Sequence, residues 1–248
     1  MQDLFRYGID ENGQIRSEKT HKFKDSPLGR IPEEWEVGSF SNMAIINPNK
    51  VKINDPNFLV TFLGMEDISE QGKILQRHEC YYSLVGIGYT SFIENDILFA
   101  KITPCMENGK GAYAKGLKNG VGFGSTEFHV LRAKGGSSPL FIYQYLLTQN
   151  LRLQARNNMT GTAGQQRVPS SFFYSYLILI PSINEQSRIS SVLSSADEAI
   201  EKEQAYKEKL LALKRGLFLK IYSRRFLRLN QARNLTKRQV YDILKYRL

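Results

Sequence analysis

The stretch YSYLILIPSINEQSRISSVL (residues 174–193) passes from the apolar spacing of a strand to that of a helix. Its first part is a nearly continuous apolar run typical of a buried strand, and Pro181 marks a turn after it. Ser182 and Glu185 then match the S-x-x-E capping box, in which a hydroxyl and a carboxylate each bind one free amide at a helix start. The sequence therefore predicts a buried strand followed directly by a helix beginning near Ser182.

This helix meets no Pro and no Gly before Gly216, and carried to Tyr222 it would be ~60 Å long at about 1.5 Å per residue. Its apolar residues form two adjoining stripes, too wide for a helix lying on one surface, so we expect it to pack against another long helix. A helix laid across its own domain is the alternative. The residues expected to face the partner helix are Ile189, Val192, Leu193, Ala196, Ile200, Tyr206, Leu210, Leu213 and Leu217.

Residues 36–182 carry short apolar runs separated by turn residues, a pattern that predicts a mainly β domain. The runs are FLVTFLGM, YYSLVGIGY, DILFAKI, GAYAKGL, TEFHVLRA and YSYLILI. One segment, PLFIYQYLLTQNLRLQARNN, has helical spacing after Pro139, which suits a first helical turn. We therefore expect an α+β fold: a mainly β domain with a few helices, followed over residues 183–222 by a long helix of coiled-coil type.

The two ends of the chain differ from this domain. Residues 1–35 are polar and rich in turns, with a small hairpin expected at Asn12-Gly13, and they cannot form a core alone. Residues 223–248 form a basic tail that carries +7 of the net charge of +10. Thr236 and Gln239 could cap a short helix in this tail. Phosphate binding and a merely solvated extension both fit its charge.

Composition and motifs argue against a membrane protein and against an enzyme. No apolar run reaches the ~18 residues of a membrane span and no signal peptide is evident, so we expect a cytoplasmic protein. The two cysteines and three histidines lack metal-ligand spacing. None of the 24 acidic residues is followed two positions later by Lys, as a common nuclease pattern requires. PCMENGKG (104–111) fails as a phosphate loop, and GVGFGS (120–125) is interpreted as a turn between strands.

Two loops collect the side-chain types that contact DNA, with charged donors for phosphates and amide or guanidinium groups for base edges. AKITPCMENGKG (100–111) supplies Lys101, Thr103, Asn108 and Lys110. MTGTAGQQRVP (159–169) supplies Thr160, Thr162, Gln165, Gln166 and Arg167, between glycines that let the backbone approach a ligand. Either loop alone also fits solvated turn residues. Their combination with a long helix favours a DNA-binding surface.

Several stretches, in this order, resemble the specificity (S) subunit of type I restriction-modification systems. They are DSPLGRIPEEWEV (25–37), DILFAKITPCMENGKGAY (96–113), GSTEFHVLR (124–132), and GTAGQQRVP (161–169) followed by LILIPSINEQSRIS (177–190). The resemblance implies that residues 36–182 are a target recognition domain that reads one half of a bipartite site in double-stranded DNA. It also implies that residues 183–222 are a spacer helix that docks methyltransferase (M) subunits and, through them, restriction (R) subunits.

The same resemblance implies a non-catalytic chain, with S-adenosylmethionine, Mg and ATP expected only on partner subunits. A full S subunit has two recognition domains and two long helices, whereas this sequence has one of each, and residues 1–35 resemble the central linker. We therefore expect the C-terminal half of an S subunit, able to form a homodimer or to pair with another S half. A truncated assembly or dimerisation module without competent DNA reading is the alternative.

Overall fold

The computed structural model describes residues 2–162 and 164–231 of the chain. Its strands are β1 (Phe23–Ser26), β2 (Gly29–Pro32), β3 (Glu36–Ser39), β4 (Ala44–Ile46), β5 (Leu59–Leu63), β6 (His78–Tyr81), β7 (Thr90–Ile93), β8 (Ile97–Ala100), β9 (Gly111–Tyr113), β10 (Val121–Gly124), β11 (Phe128–Ala133) and β12 (Leu177–Ile180). Its α-helices are α1 (Gln2–Tyr7), α2 (Phe40–Met43), α3 (Tyr82–Val85), α4 (Pro139–Leu146), α5 (Gln149–Asn157), α6 (Phe172–Ser175) and α7 (Ile183–Gln231). These elements confirm the expected α+β class with a long helix after the domain.

Two four-stranded sheets form the centre of the domain. Their strand orders are β6-β5-β10-β7 and β4-β11-β8-β9, while β1 pairs with β2 and β12 with β3. In β8 the side chain of Leu98 joins an apolar cluster shared by the two large sheets, whereas Ile97 and Phe99 enter a second, larger core. Successive residues of a strand point to opposite faces, so this sheet is buried on both sides. The burial explains why DILFAKI reads as an almost continuous apolar run.

The larger core includes the beginning of the chain. Leu4, Phe5 and Ile9 are buried in it, and the Phe5 ring lies 5.3 Å from that of Phe141 in an edge-to-face arrangement. The hairpin expected at Asn12-Gly13 is confirmed by an antiparallel bridge between Ile9 and Ile15. The lead segment therefore belongs to the same compact unit, Met1–Leu193, as the β domain.

The long helix begins at Ile183, as the strand-to-helix change predicts, and the hydroxyl of Ser182 accepts a hydrogen bond from the Glu185 amide at 3.4 Å. The carboxylate of Glu185 does not return this bond, so the expected capping box is only half formed. It is buried and accepts hydrogen bonds from the Ile9 amide at 3.0 Å and the Trp35 indole at 2.9 Å, and it pairs with Arg16. These donors are distant in sequence from Glu185, and the capping-box pattern, which covers four consecutive residues, does not predict them.

The described part of α7 reaches Gln231, beyond the predicted end at residue 222. Residues 223–231 of the basic tail are thus helical, and Gly216 is accommodated within the helix. Thr236 and Gln239, the predicted caps of a short helix, lie outside the described residues. From Ser194 onward, the described part of α7 belongs to a second unit.

The prediction of one helix over PLFIYQYLLTQNLRLQARNN was wrong, because α4 ends at Leu146 and α5 begins at Gln149. Between them Thr148 adopts an extended backbone, and its hydroxyl donates to the Tyr145 carbonyl at 2.8 Å. A Thr side chain that bonds to the backbone competes with continued helix, and helical periodicity on both sides conceals the break.

Two strand and turn predictions also need correction. YYSLVGIGY is not one strand, because β6 ends at Tyr81 and α3 follows it. GVGFGS is not a turn: Val121–Gly124 form β10, parallel to β5 and antiparallel to β7. A Cβ on Gly122 would lie 2.0 Å from the Phe92 ring, and one on Gly124 would lie 2.3 Å from the Leu63 carbonyl. These glycines allow close packing within a strand, a role that composition alone does not distinguish from a turn.

Candidate nucleic-acid interface

The two predicted loops meet at one end of the β4-β11-β8-β9 sheet. Strands β4 and β8 both run antiparallel to β11, so both end where β11 begins. The first loop, residues 101–110, follows β8 at this end, and Asn47 follows β4 there. The second loop, residues 159–169, comes from the helical side of the domain, after α5. Its approach to the first loop is a tertiary contact that the sequence order does not require.

Backbone hydrogen bonds join the loops to each other. The Thr103 amide donates to the Gln166 carbonyl at 3.0 Å, and the Val168 amide donates to the Lys101 carbonyl at 2.9 Å. Thr160 and Arg167 exchange two further bonds, at 2.9 and 2.8 Å, which close the second loop on itself. The residues predicted from two separate stretches thus form one surface.

Arg167 is held at this surface by Glu127, the residue before β11 that lies beside both loops. Its Nε and Nη2 atoms donate to the two carboxylate oxygens at distances of 2.9 to 3.2 Å. The bond from Arg167 lowers the pKa of Glu127, and the bond to Glu127 raises the pKa of Arg167. Arg167 was expected to be a direct DNA contact. The bidentate pair neutralises much of the charge of Arg167. The main structural role of Arg167 is therefore to connect the second loop to the sheet.

Three other predicted residues are engaged within the domain. The ammonium group of Lys110 donates to the Met65 carbonyl at 2.7 Å, and the amide group of Asn108 donates to Glu70 at 2.9 Å. The Thr103 hydroxyl contacts the Met159 sulfur at 3.7 Å. The sequence did not predict these contacts, because the partners come from segments that are distant in sequence.

The remaining predicted residues keep their polar side-chain groups available. Thr160, Thr162 and Gln165 are exposed, while Lys101 and Gln166 are partly buried. Amide and hydroxyl groups of this kind can donate to or accept from base edges, and the Lys101 ammonium can bind a phosphate. The surface formed by the two loops, with these five residues as its available polar groups, is called the loop surface below.

A buried guanidinium that the sequence did not reveal supports the first loop. Arg152 of α5 is 8% exposed and donates to the carbonyls of Met106, Gly109 and Lys110 at 3.1 to 3.2 Å, as well as to a carbonyl at the end of α4. It also lies over the Phe99 ring at 4.3 Å. Burial lowers the pKa of Arg152 to about 10. A single Arg in an amphipathic helix gives no sequence signal that it holds a loop.

Residues 32–212 match the family model described as the type I restriction modification DNA specificity domain. The chain belongs to this family. The chain is 38% identical over 188 residues to the type I restriction enzyme EcoEI specificity subunit of Escherichia coli, and 40% identical over 164 residues to the EcoAI specificity subunit of the same species. These matches cover 74% and 64% of this chain but 32% and 27% of the relatives, so the chain spans about a third of their length.

Solved structures share the fold of the specificity domain. The crystal structure of the HsdS subunit from Thermoanaerobacter tengcongensis is 20% identical with a TM-score of 0.60, covering 75% of this chain and 48% of that one. A structure concerned with complex assembly and conformational transition of the type I restriction-modification system is 19% identical with a TM-score of 0.56, covering 71% of this chain and 45% of that one. The family model describes a DNA specificity domain and both curated relatives are specificity subunits, in agreement with the expectation of a specificity subunit.

The predicted partner-facing residues of α7 divide into two groups. Ile189 and Leu193 are buried in the core of the specificity domain itself, so for these two the expectation of a partner contact was wrong. The other residues of the set are exposed: Val192, Ala196, Ile200, Tyr206, Leu210, Leu213 and Leu217. The first turns of α7 therefore follow the interpretation of a helix laid on its own domain.

Within residues 2–162 and 164–231 the structure contains no helix able to cross a membrane and no group of acidic, His or Cys residues able to hold a metal.

His129 of β11 connects the second loop to the segment after β4. Its Nε2 atom donates to the Val168 carbonyl at 2.8 Å, which leaves Nδ1 to accept from the Asn47 amide group at 3.1 Å. Burial lowers the pKa of His129, and the nearby Lys101 acts in the same direction, while the bond to Val168 and the charge of Glu127 oppose them. The histidine is therefore neutral at neutral pH, in the tautomer that satisfies both neighbours.

We expect the specificity domain to lose stability as the pH falls through the unfolded-state pKa of His129, about 6.5. The pKa of His129 is lower in the folded protein, so the unfolded chain binds more protons there and the free energy of unfolding falls with decreasing pH. Urea unfolding at pH 7.5 and pH 5.5 measures this loss. In His129→Gln, whose amide can still donate to Val168, the loss between the two pH values should be smaller. Equal losses in both proteins would contradict the prediction.

Proposed function

We propose that the chain is a non-catalytic sequence-recognition subunit of a type I restriction-modification complex, and that it reads one half of a bipartite target in double-stranded DNA. The observation that carries the proposal is the loop surface: two polar loops from distant stretches are joined by backbone bonds at one end of a sheet in a DNA specificity domain. Base-edge groups come from Thr162, Gln165 and Gln166, and Lys101 provides a phosphate contact.

The proposal includes partners that the whole complex requires. The exposed apolar residues of α7 would dock M subunits, and R subunits would bind through them. S-adenosylmethionine, Mg and ATP would be held by those subunits, in the cytoplasm. A homodimer, or a pair with another S half, would place two loop surfaces on one DNA duplex and let the assembly read both halves of a target.

Selection from a random DNA library with the purified chain tests recognition. We expect an enriched sequence, with affinity that falls steeply with salt while the preference persists, because phosphate contacts supply affinity and base contacts supply preference. Gln165→Ala should relax the preference at one or two base pairs, a cost of about 1–3 kcal/mol per lost base contact. Asn119→Ala is the control, since this exposed amide lies in the 3-10 helix Lys118–Gly120, away from both loops in sequence, and donates to the Leu59 carbonyl. Binding without any preference would contradict the proposal.

A second experiment tests docking through the helix. Leu210→Asp with Leu213→Asp should abolish co-purification with an M subunit of the same restriction-modification system, because two charges would enter an apolar interface. The matched control is Lys209→Asp with Ala212→Asp, which has the same spacing one position earlier and faces about 100° away on the helix. Equal M binding by both double variants and the original chain would contradict docking at this face. M binding without any DNA preference would instead indicate the assembly module.

A further inference from the structure

Most basic side chains of the domain are committed to contacts inside it. Arg132 pairs with Asp96 at 2.8 Å, and Lys118 pairs with Glu79 at 3.0 Å. Further committed groups are Arg77, Lys110, Lys134, Arg152, Arg156 and Arg167. Within the described part of 36–182, the lysines whose ammonium groups make no ion pair or hydrogen bond are Lys50, Lys52, Lys101 and Lys115. An available cation strengthens a phosphate contact, so these four lysines are the candidates within 36–182 for binding a DNA backbone.

Two of these lysines, Lys50 and Lys52, lie in a segment that is hydrogen-bonded beside the loop surface. Lys50 and Lys52 follow Asn47, whose amide and side-chain oxygen form two bonds with the backbone of Val130, at 2.7 and 3.0 Å. The Asn47 side chain also reaches His129, which bonds to Val168 of the second loop. The amide of Val51 donates to the Ser91 hydroxyl at 2.9 Å and fastens the segment beside β7. Residues 47–52 are therefore held at the sheet end where Lys101 and both loops lie.

An open depression lies next to these lysines. It has a volume of about 160 Å³ and is lined by Asn47, Lys50 and Tyr89 among others. The Tyr89 ring is 41% exposed and is braced edge-on against Phe62 at 5.1 Å between centroids. An aromatic ring supported on one side offers its free surface for packing against a sugar or a base.

We infer that residues 47–52, together with Tyr89, form a second DNA-contacting strip that continues the loop surface. Lys50 and Lys52 bind backbone phosphates, and Tyr89 packs against the sugar between them. The strip orients the duplex, and the loop surface reads it. This inference rests on the proposed function, because it names further contacts of the same domain to the same DNA.

The test compares Lys50→Ala with Lys52→Ala, as a double variant, against Lys115→Ala. Lys115 is also exposed, and its ammonium group has no ion pair or hydrogen bond among the described residues. It follows β9, whose end lies at the opposite end of the sheet beside the start of β8. DNA affinity is measured against salt concentration for the sequence that the library selects. The double variant should reduce the slope of log affinity against log salt by about 2, at roughly 0.9 per phosphate contact, and leave the sequence preference unchanged. Lys115→Ala should leave both unchanged.

Tyr89→Ala provides a second readout, because an uncharged ring contributes to affinity without releasing counterions. It should weaken binding roughly 10-fold, because the apolar ring surface buried against the sugar is lost, at an unchanged salt slope. A double lysine variant that keeps the original slope, or Lys115→Ala reducing the slope equally, would overturn the inference while the proposed function stands. A chain that binds no DNA at all would overturn both.

Discussion

Glu185→Ala should lower the free energy of unfolding of the specificity domain by roughly 3–5 kcal/mol, the cost of breaking a buried charge pair from one side. The carboxylate of Glu185 is 3% exposed and Arg16 is 8% exposed, so neither charge has water as an alternative partner. The substitution also leaves the Ile9 amide and the Trp35 indole without their acceptor, at about 1–3 kcal/mol for each buried donor left unsatisfied. These costs overlap, so they do not add in full.

Urea unfolding followed by circular dichroism measures this loss. Trp35 is the only tryptophan of the chain, and its fluorescence reports on the carboxylate site itself. Glu34→Ala is the matched control: its carboxylate is 75% exposed and lies 3.9 Å from the same Arg16, so it should change stability by less than about 1 kcal/mol. Stability of Glu185→Ala equal to that of the control would show that the buried carboxylate does not hold the lead segment, the domain and α7 together.

Arg152→Met should cost about 3 kcal/mol or more and should loosen the first loop. Met has a similar length and fills the site, but it removes the donors that bind four carbonyls, three of them in that loop. Arg152→Lys should recover only part of the loss, because one ammonium group cannot span acceptors that the planar guanidinium reaches together. Limited proteolysis should then cut within residues 104–110 faster than in the original chain.

Arg156→Met is the control on the same helix. Its guanidinium is 65% exposed and pairs with Glu107 of the same loop at 3.0 Å, so the change should cost less than about 1 kcal/mol. An Arg152→Met protein as stable as this control, with an equally protected loop, would show that the buried guanidinium does not support the first loop. DNA binding by the two variants adds a functional readout, since the loop supplies Lys101 and the backbone that positions the second loop.

The sequence was sufficient for features that depend on neighbouring residues. The change of period at Pro181 predicted β12 and the start of α7, and alternating apolar runs predicted the β domain. The order of the weak motifs predicted the family. Each is encoded in contiguous residues, because strand and helix place residues on faces at fixed intervals. Prediction from local pattern failed at two places. At Thr148 one side-chain hydrogen bond interrupts the helix, and in β10 two glycines allow neighbouring groups to pack closely within a strand.

Tertiary structure determined which polar groups remain available. From spacing alone, Arg167 and Lys101 are equivalent cations of two loops predicted to contact DNA. Glu127 pairs with Arg167, whereas Lys101 forms no ion pair or side-chain hydrogen bond within the described residues. Glu185 reads as a helix cap, but its donors include an amide 176 positions away. A buried charge or amide pairs with the group that folding brings next to it. The free-energy penalty of leaving it unpaired is larger than the gain from one local hydrogen bond. That partner is set by the packing of distant segments, so the sequence locates the candidate loops, and only the fold shows which of their side chains are free to bind.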